Sequence, residues 1–420
     1  MHVLVLTHYY PPEVNAPASR ISEMARAWTD AGIRVSVVTC APNHPRGVLY
    51  PGYRNRWFQR ERQGGVEVIR IWTFLAANQG FARRLINYLS YPFALLLNLP
   101  RLPKADIVLS TSPQFFCGLS GLLLRRRRRP WVLEIRDLWP ESIIAVGAMK
   151  RGLAIRLLEG LERMAYRSAD AIVSVTESFV PYILARRGRG PVAVIKNGVD
   201  LAFFDSEDWD GAAFRSETGL TGKFVAAYVG THGMAHGLDT VLAAAELLRD
   251  DARIAFLLVG DGSERERLQA EAARRGLANL HIIGQRPKAD MPAIWAATDA
   301  SLILLRRLDT FKSVLPSKMF EAMAMRRPIV LGVEGEARAL LDAAGAGIAI
   351  VPEDAGQLAA AVRRLADNEA EAAAMGEAGR RHVSEHFDRA RLAEHYAAFL
   401  EEVAAGRTPP DTVRRHARAA

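Results

Sequence analysis

The sequence predicts an α/β protein with two doubly wound domains, each a parallel sheet covered by helices. Short apolar runs rich in β-branched residues alternate with longer segments of helical periodicity, and continuous apolar runs are typical of buried parallel strands. The alternation stops near residue 196 and then restarts, which indicates two such units in succession. We expect them to face each other across a cleft. A length of 420 residues suits two or three domains at ~150 residues each.

Strands and helices alternate through the first predicted domain. The predicted strands are 3–6, 34–39, 66–72, 106–110, 131–135, 171–175 and 192–195. The predicted helices include 18–31, 153–166 and 178–186. Asp30-Ala-Gly32 is a typical stop signal for the first of these helices, and Ser178 is a typical start for the last.

The second domain repeats the pattern. Its predicted strands are 224–229, 254–259, 280–283, 300–304, 329–331 and 348–351, and its predicted helices include 238–248, 263–275, 317–325 and 357–366. The turn sequence Asn197-Gly198 marks the boundary, so we expect domains over 1–196 and 197–385. A helix over 386–405 is expected to pack back toward the first domain, and the Pro- and Arg-rich tail 406–420 is expected to be mobile.

The net charge of +9 is unevenly distributed. Residues 1–196 hold 28 Lys and Arg against 13 Asp and Glu, and the remainder holds 27 against 33. The basic half is expected to attract an anionic surface or substrate. The alternative is an Arg-rich composition without a functional cause.

Several classes of protein are excluded. The two cysteines, Cys40 and Cys117, are too few for a disulfide framework, and no Cys/His cluster has zinc spacing. No secretory signal or membrane span is evident, which predicts a cytosolic protein.

Ligands of open α/β sheets bind beyond the carboxyl ends of the strands, so the loops there are candidate sites. The first such loop, 8–20, precedes a predicted helix and offers Glu13, Asn15 and Arg20 as polar groups that can reach a substrate. The alternative is a capped surface turn.

The second loop follows the strand 131–135 and carries Arg136 and Asp137. Charges at the end of a buried strand are costly unless they are paired or used. Asp137 can stabilise positive charge that develops on a substrate. The alternative is a structural ion pair between the two residues.

The third loop contains Gly260-Asp-Gly262 after an apolar strand. A dinucleotide fingerprint requires a third glycine where Arg265 stands, which disfavours NAD and FAD. The two glycines would let a base or phosphate approach the backbone closely.

The fourth and most informative segment is 310–324. Ser317 is the expected helix N-cap, with Lys318 in the first turn and Glu321 on the same helix face. A lysine at a helix start suits a diphosphate, and a carboxylate one turn later can accept both hydroxyls of a ribose. The alternative is a surface Lys–Glu pair.

Taken in order, these motifs resemble glycosyltransferase family 4, whose members have the GT-B fold. The resemblance covers about 1–405 and rests on Tyr10-Pro-Pro, Val194-Ile-Lys-Asn-Gly-Val-Asp200, Tyr228-Val-Gly with His236-Gly-Leu-Asp239, Leu258-Val-Gly-Asp-Gly262 and Pro316-Ser-Lys-Met-Phe-Glu-Ala-Met-Ala324. Asp137-Leu-Trp-Pro-Glu-Ser142 is similar to the bacterial surface-polysaccharide subgroup, which includes the O-antigen N-acetyl-L-fucosamine transferases.

The resemblance implies a retaining enzyme that needs no metal or cofactor. It implies a nucleotide-diphospho-sugar donor, here a UDP-sugar with an N-acetylated amino sugar, on the second domain. The acceptor, a lipid-diphosphate-linked or oligosaccharide chain, would bind the first domain. The implied acceptor-binding residues are Glu13, Asn15, Arg20 and Arg136.

The implied donor site departs from the family pattern at two points. Glu321 matches the ribose-binding carboxylate of the Glu-x7-Glu motif, but Ser313 replaces the first carboxylate. The loop 230–236 also lacks the Arg and Lys that usually hold the diphosphate, and Lys318 is the candidate replacement. The implied donor-binding residues are Gly230, His232, Gly260, Gly262, Arg306, Ser317, Lys318, Glu321 and Asn197, and the implied catalytic residues are Asp137, Lys318 and Glu321.

A membrane-surface location is also expected. The segment 81–101 is apolar with basic flanks, and Arg125–Arg129 is an unbroken arginine run. Together they suit shallow insertion into an anionic leaflet, which predicts a peripheral protein on the inner face of the plasma membrane. The alternatives are a helix packed on the sheet and a solvated turn.

Three other functions fit parts of the sequence. A sugar-nucleotide epimerase of the same fold would leave the basic half unexplained. A nucleic-acid-binding protein would use the arginine run, but no aromatics interleave it and no recognition motif is visible, so no nucleic-acid partner is expected. A nucleotide-sugar sensor without catalysis is the third. The transferase is favoured.

Overall fold

The chain divides into two compact units. The first contains Met1–Asn197 and the chain from Arg389 onward, and the second contains Gly198–Asp388. The structure is a computed structural model that describes residues 1–76, 81–125, 129–145, 149, 151–187, 190–205 and 209–409. Positions 126–128 of the arginine run and the tail from 410 lie outside the described residues.

An eight-stranded sheet forms the centre of the first unit. Its strands are β1 (His2–Leu6), β2 (Arg34–Cys40), β3 (Phe58–Gln63), β4 (Val66–Ile71), β5 (Ile107–Thr111), β6 (Trp131–Ile135), β7 (Ala171–Ser174) and β8 (Val192–Val194). The order is β3-β4-β2-β1-β5-β6-β7-β8. Neighbouring strands are parallel except β3, which runs antiparallel to β4 at the sheet edge. Sequence analysis misses β3 because five of its six residues are polar.

Helices cover both faces of this sheet. They are α1 (Ala16–Asp30), α2 (Phe81–Asn98), α3 (Phe115–Leu119), α4 (Gly121–Arg125), α5 (Glu141–Ala145), α6 (Leu153–Ser168) and α7 (Val180–Arg187). Apolar residues of α2, α3, α4, α6 and α7 share one buried cluster, whereas α1 belongs to the cluster on the opposite face. The predicted start at Ser178 is wrong, because Thr176 caps a 3-10 turn over Glu177–Phe179 and α7 begins after it.

The second unit is built on a six-stranded parallel sheet. Its strands are β9 (Phe224–Val229), β10 (Ile254–Val259), β11 (Leu280–Ile283), β12 (Ala300–Leu304), β13 (Ile329–Gly332) and β14 (Gly347–Ala349), in the order β11-β10-β9-β12-β13-β14. Its helices are α8 (Ala212–Thr218), α9 (Asp239–Leu247), α10 (Arg265–Arg275), α11 (Met291–Ala296), α12 (Lys318–Ala324), α13 (Glu336–Ala344), α14 (Ala355–Asp367) and α15 (Glu369–His386).

The last helix, α16 (Arg389–Ala404), belongs to the first unit. It packs on α1, where the indole Nε1 of Trp28 donates to the carbonyl of Ala393 at 2.9 Å and the ring of Trp28 meets that of Tyr396 edge to face. Within the described part of the chain, no helix combines the length and apolar character needed to cross a bilayer.

A buried ion pair joins α1 to the centre of the first sheet. Arg20 donates through Nε and Nη2 to Glu134 Oε2 at 3.2 and 3.0 Å, and both side chains are almost fully buried. The same guanidinium donates to the carbonyls of Ile195 and Lys196 at the end of the first unit. Burial raises the pKa of Glu134, but the charges of Arg20 and Arg136 and two hydrogen bonds hold it below its usual value.

Glu134→Ala is expected to lower the free energy of unfolding by about 3–5 kcal/mol, because it leaves the Arg20 charge buried without its counter-ion. The measurement is urea unfolding followed by circular dichroism. Asp342→Ala is the control, since the Arg338–Asp342 pair is about half exposed and such pairs contribute roughly 0–1 kcal/mol. Equal losses in the two variants would contradict this account.

Candidate functional site

Two loops meet at the carboxyl ends of β9 and β10. Gly230 N donates to Val259 O, and His232 N donates to Asp261 O, each at 2.9 Å. A Cβ on Gly260 would lie 1.9 Å from Gly230 O, and one on Gly262 would lie 2.4 Å from His232 O. Both glycines have positive φ. They therefore serve close contact between the loops, and the expectation that they also let a base or phosphate approach the backbone stays a prediction.

Lys318 reaches this loop pair from the first turn of α12. Its Nζ lies 3.5 Å from the centroid of the Tyr228 ring, and a Cβ on Gly230 would be 2.9 Å from it. The Nζ atom is buried and has no hydrogen-bond partner among the described residues. Burial lowers the pKa of Lys318 to about 7, although the nearby Glu321 acts in the opposite direction. A buried amine in this state lacks the hydrogen bonds that would offset its desolvation.

Two histidines flank the same tyrosine. His232 is fully buried, and neither of its ring nitrogens has a partner among the described residues. The Nδ1 atom of His236 is also buried without a hydrogen-bond partner among the described residues. Burial, reinforced by Lys318, lowers the pKa of His232 to about 4 and that of His236 to about 3, so both are neutral near pH 7. Native proteins pair most buried polar atoms, so these unpaired nitrogens make the cluster a candidate site for a group with acceptor oxygens.

Arg265 is a cation that sequence analysis passed over as a functional residue. It is the first residue of α10, and its Nε is buried without a hydrogen-bond partner among the described residues. Its charge also helps to depress the pKa of His232. In the sequence Arg265 was noted only because it stands where a dinucleotide fingerprint has its third glycine. The fold places it near His232, across the contact between the two loops.

Glu321 lies one turn beyond Lys318 and is held by an indole. Trp295 Nε1 donates to Glu321 Oε2 at 3.2 Å. Burial raises the pKa of Glu321, and the Trp295 hydrogen bond and the charges of Lys288 and Lys318 partly offset this. Trp295 is fully buried in α11 and could not be found from the sequence, because nothing near it suggests contact with α12.

The remaining donor-site candidates lie outside this cluster or act differently. Ser317 precedes α12 but makes no side-chain cap, and the helix has only seven residues, so anion binding rests on the Lys318 side chain. Arg306 is about half exposed and its Nε lies 3.6 Å from Glu353. Asn197 lies in the first unit, where its Oδ1 accepts from Arg20 at 3.2 Å.

Three expected acceptor-binding residues are engaged in the structure of the first unit. Glu13 Oε1 accepts from the backbone N–H groups of Asn43 and His44, both at 2.9 Å. Asn15 Oδ1 caps α1. Arg20 is committed to the buried ion pair described above. The capped-turn alternative accounts for these contacts, whereas Asn15 Nδ2 is buried without a hydrogen-bond partner among the described residues, and the acceptor-binding role stays a prediction.

Asp137 lies beside a small cavity of about 20 Å³ at the end of β6. Its Oδ2 accepts from Ser142 Oγ at 3.1 Å, and burial raises its pKa. Among the described residues no ion pair joins it to Arg136. Burial lowers the pKa of Arg136 to about 10, although the charge of Glu134 acts in the opposite direction.

A second carboxyl lines the same cavity and was missed from the sequence. Glu162 is buried in α6, accepts from Arg186 Nε at 3.0 Å, and has one oxygen without a partner. Burial raises its pKa to about 7, despite the charge of Arg186 and the hydrogen bonds from Tyr182 and Arg186. In the described ranges no group of His, Cys, Asp and Glu is arranged to hold a metal.

The two halves of the chain match two families of known proteins. Residues 15–198 match the glycosyl transferase 4-like domain, and residues 210–382 match the glycosyl transferases group 1 domain. The chain is 26% identical over 376 residues to "Putative colanic acid biosynthesis glycosyl transferase WcaI" of Escherichia coli strain K12, covering 87% of this chain and 92% of that protein.

Solved structures show the same architecture. Sucrose-phosphate synthase from Thermosynechococcus elongatus has a TM-score of 0.76 at 18% identity, covering 96% of this chain and 99% of that one. HepE from Anabaena in complex with UDP has a TM-score of 0.69 at 18% identity, covering 96% and 100%. The chain is therefore a glycosyltransferase with the GT-B fold, in which a glycosyl transferase 4-like domain precedes a group 1 domain.

Proposed function

We propose that this glycosyltransferase is a retaining, metal-independent enzyme that takes a sugar from a UDP-sugar bound at the second unit. The acceptor is a hydroxyl of a lipid-diphosphate-linked or growing glycan bound at the first unit. The observation that carries the proposal is the buried Nζ of Lys318, which lies without a hydrogen-bond partner beside His232 and the Gly230 loop. HepE, which was solved with UDP, supports UDP as the nucleotide.

The diphosphate fits the cations and donors of the cluster. Lys318 and Arg265 supply positive charge, and each has an N–H group without a partner in the described structure. A neutral His232 adds one N–H donor. Preorganised donors of this kind stabilise charge that develops on a leaving group, typically by several kcal/mol.

The ribose fits Glu321. A carboxylate can accept hydrogen bonds from two adjacent hydroxyls, and the Trp295 indole fixes one of its oxygens. Burial desolvates the carboxyl, and the Trp295 hydrogen bond offsets only part of that cost. A ribose that donates to it would stabilise the charged form.

The reaction follows from this placement. The bond from the anomeric carbon to the diphosphate oxygen breaks, and the carbon becomes oxocarbenium-like. Lys318 stabilises the negative charge on the departing UDP. The acceptor hydroxyl attacks from the leaving-group side, its oxygen bonds to the anomeric carbon, and a donor phosphate oxygen takes its proton. The configuration at the anomeric carbon is retained.

The pathway is proposed from the relatives and the segment 137–142. The Escherichia coli relative is named for colanic acid biosynthesis, a surface polysaccharide. The resemblance of 137–142 to O-antigen N-acetyl-L-fucosamine transferases favours an N-acetylated amino sugar as donor. We place the enzyme at the cytoplasmic face of the plasma membrane, where lipid-linked glycans are extended.

UDP at 100 times its dissociation constant is expected to stabilise the protein by ~2.7 kcal/mol in a thermal-shift panel with GDP, ADP, dTDP and NAD. Glu321→Ala is expected to abolish most of this shift by removing the ribose acceptor. Glu271→Ala, at a partly exposed carboxylate of α10 that pairs with Arg274 and Arg275, is the control and should keep the shift. A shift with NAD and none with any nucleoside diphosphate would refute the donor site.

Lys318→Met is expected to lower kcat by about 10²-fold, as loss of a preorganised donor does.

The affinity of the wild type for UDP should weaken as pH rises from 7 to 9, because the amine with a pKa of about 7 loses the charge that the diphosphate requires. Titration calorimetry across this range tests the point. A Lys318→Met protein with the same pH dependence would assign the effect elsewhere.

The same substitution is expected to stabilise the ligand-free protein at pH 7 by about 1–3 kcal/mol, since it removes a buried charge. The advantage should shrink toward pH 10. Below the folded pKa of about 7 the wild type carries the full desolvation cost, which disappears as pH approaches the unfolded value near 10.4. Lys312→Met, at a half-exposed lysine, should show no such trend in urea unfolding.

A further inference from the structure

Helix α2 exposes an apolar stripe along its outer side. Ile86, Leu89, Phe93, Leu96 and Leu97 are each 45–55% exposed, and their spacing places them on one face of the helix. The opposite side of α2 is buried on the sheet through residues that include Tyr91, Ala94 and Leu95. The helix is therefore apolar both toward the core and away from it.

Helices α6 and α7 continue this surface. On α6, Leu153, Leu157 and Met164 are 84%, 66% and 46% exposed, and on α7 Leu184 is 40% exposed. The inner sides of α2, α6 and α7 share one buried cluster, so the three helices cover the same face of the sheet. Half-buried leucines of α3 and α4 lie in the layer with them. We call the outward sides of α2, α6 and α7 the outer helix face.

This concentration is specific to one layer. Nine of the 17 large apolar side chains that are exposed among the described residues lie on the outer helix face, so chance scatter does not account for it. On the other face of the same sheet, α1 and α16 contribute none of the 17. There α16 exposes the acids Glu394 and Glu401 instead.

The charges on the outer helix face are positive. Exposed arginines flank the apolar stripes at Arg83 on α2 and at Arg156, Arg163 and Arg167 on α6. Helix α2 contains no acidic residue. The two acids of α6 offset only part of this charge: Glu159 pairs with Arg163 at 3.6 Å and the buried Glu162 pairs with Arg186 of α7 at 3.0 Å. Among the described residues Arg83, Arg156 and Arg167 have no acidic partner.

We propose that the outer helix face lies shallowly in an anionic lipid bilayer, with the apolar stripes below the headgroups and the arginines among them. The interface of an anionic bilayer binds helices that lie parallel to its plane and carry apolar side chains bordered by arginines. A protein partner would need an acidic rim to match these arginines. The inference deepens the proposed function, because a lipid-linked acceptor is extended at this surface, and it assigns α6 and α7 a part that the sequence did not suggest.

The test is vesicle flotation of the full-length protein. We expect binding to vesicles of phosphatidylglycerol and phosphatidylcholine, loss of binding to phosphatidylcholine alone, and weakening by salt. The variants Leu89→Glu/Phe93→Glu and Leu157→Glu should each reduce the floated fraction at least tenfold. Leu247→Glu, at a leucine 59% exposed on α9 of the second unit, is the matched control and should float like the wild type.

Two results would overturn the inference. One is flotation of the α2 and α6 variants equal to that of the control. The other is wild-type protein that ignores phosphatidylglycerol and runs as a dimer in size-exclusion chromatography while Leu157→Glu runs as a monomer, which would assign the face to a second copy. The UDP thermal shift separates this proposal from the donor site: lost flotation with an intact shift defeats the membrane face alone, and flotation without a shift defeats the UDP donor alone.

Discussion

The site in the second unit depends on a backbone contact between two loops. Gly260 and Gly262 allow the loop after β10 to touch the loop after β9, at carbonyl distances that no side chain would permit. That contact buries His232 and brings Arg265 toward it. Lys318 Nζ lies against the Tyr228 ring and the Gly230 loop, without a hydrogen-bond partner among the described residues. The glycines thus build the loop contact beside which Lys318, His232 and Arg265 lie.

The two loop regions that carry the candidate residues differ in charge. In the first unit Glu13 and Arg20 bond to backbone groups and to Glu134, and Asn15 Oδ1 caps α1, while Asn15 Nδ2 is buried without a partner among the described residues. In the second unit Lys318 Nζ and both ring nitrogens of His232 are buried without partners among the described residues. Each such atom carries a desolvation cost that a bound group with the right polarity would reduce. The cluster in the second unit suits an anion, because Lys318 and Arg265 add positive charge to it.

Most of the fold could be predicted because apolar runs are local signals. The run 254–259 is six apolar residues between Arg253 and Gly260, and β10 has these bounds. Polar β3 and α15, whose buried side is formed by small residues such as Gly376 and Gly379, carry no such signal. The site was predicted where its residues share one helix turn, as Lys318 and Glu321 do. Trp295 and Arg265 depend on contacts between distant segments, which a single sequence does not display.

The first unit contains two buried carboxyl groups that the proposed donor site does not involve, and their surroundings differ from those of the cation cluster. Asp137 and Glu162 line one small cavity, and burial raises the pKa of both. Glu162, with a pKa near 7, can exchange a proton at physiological pH, whereas the buried cations of the second unit attract negatively charged groups. The helix that carries Glu162 inward carries Leu153, Leu157 and Met164 outward. Helix α6 therefore joins the cavity to the apolar surface, so a lipid that engages its outer side would act on the same rigid element that holds the carboxyl.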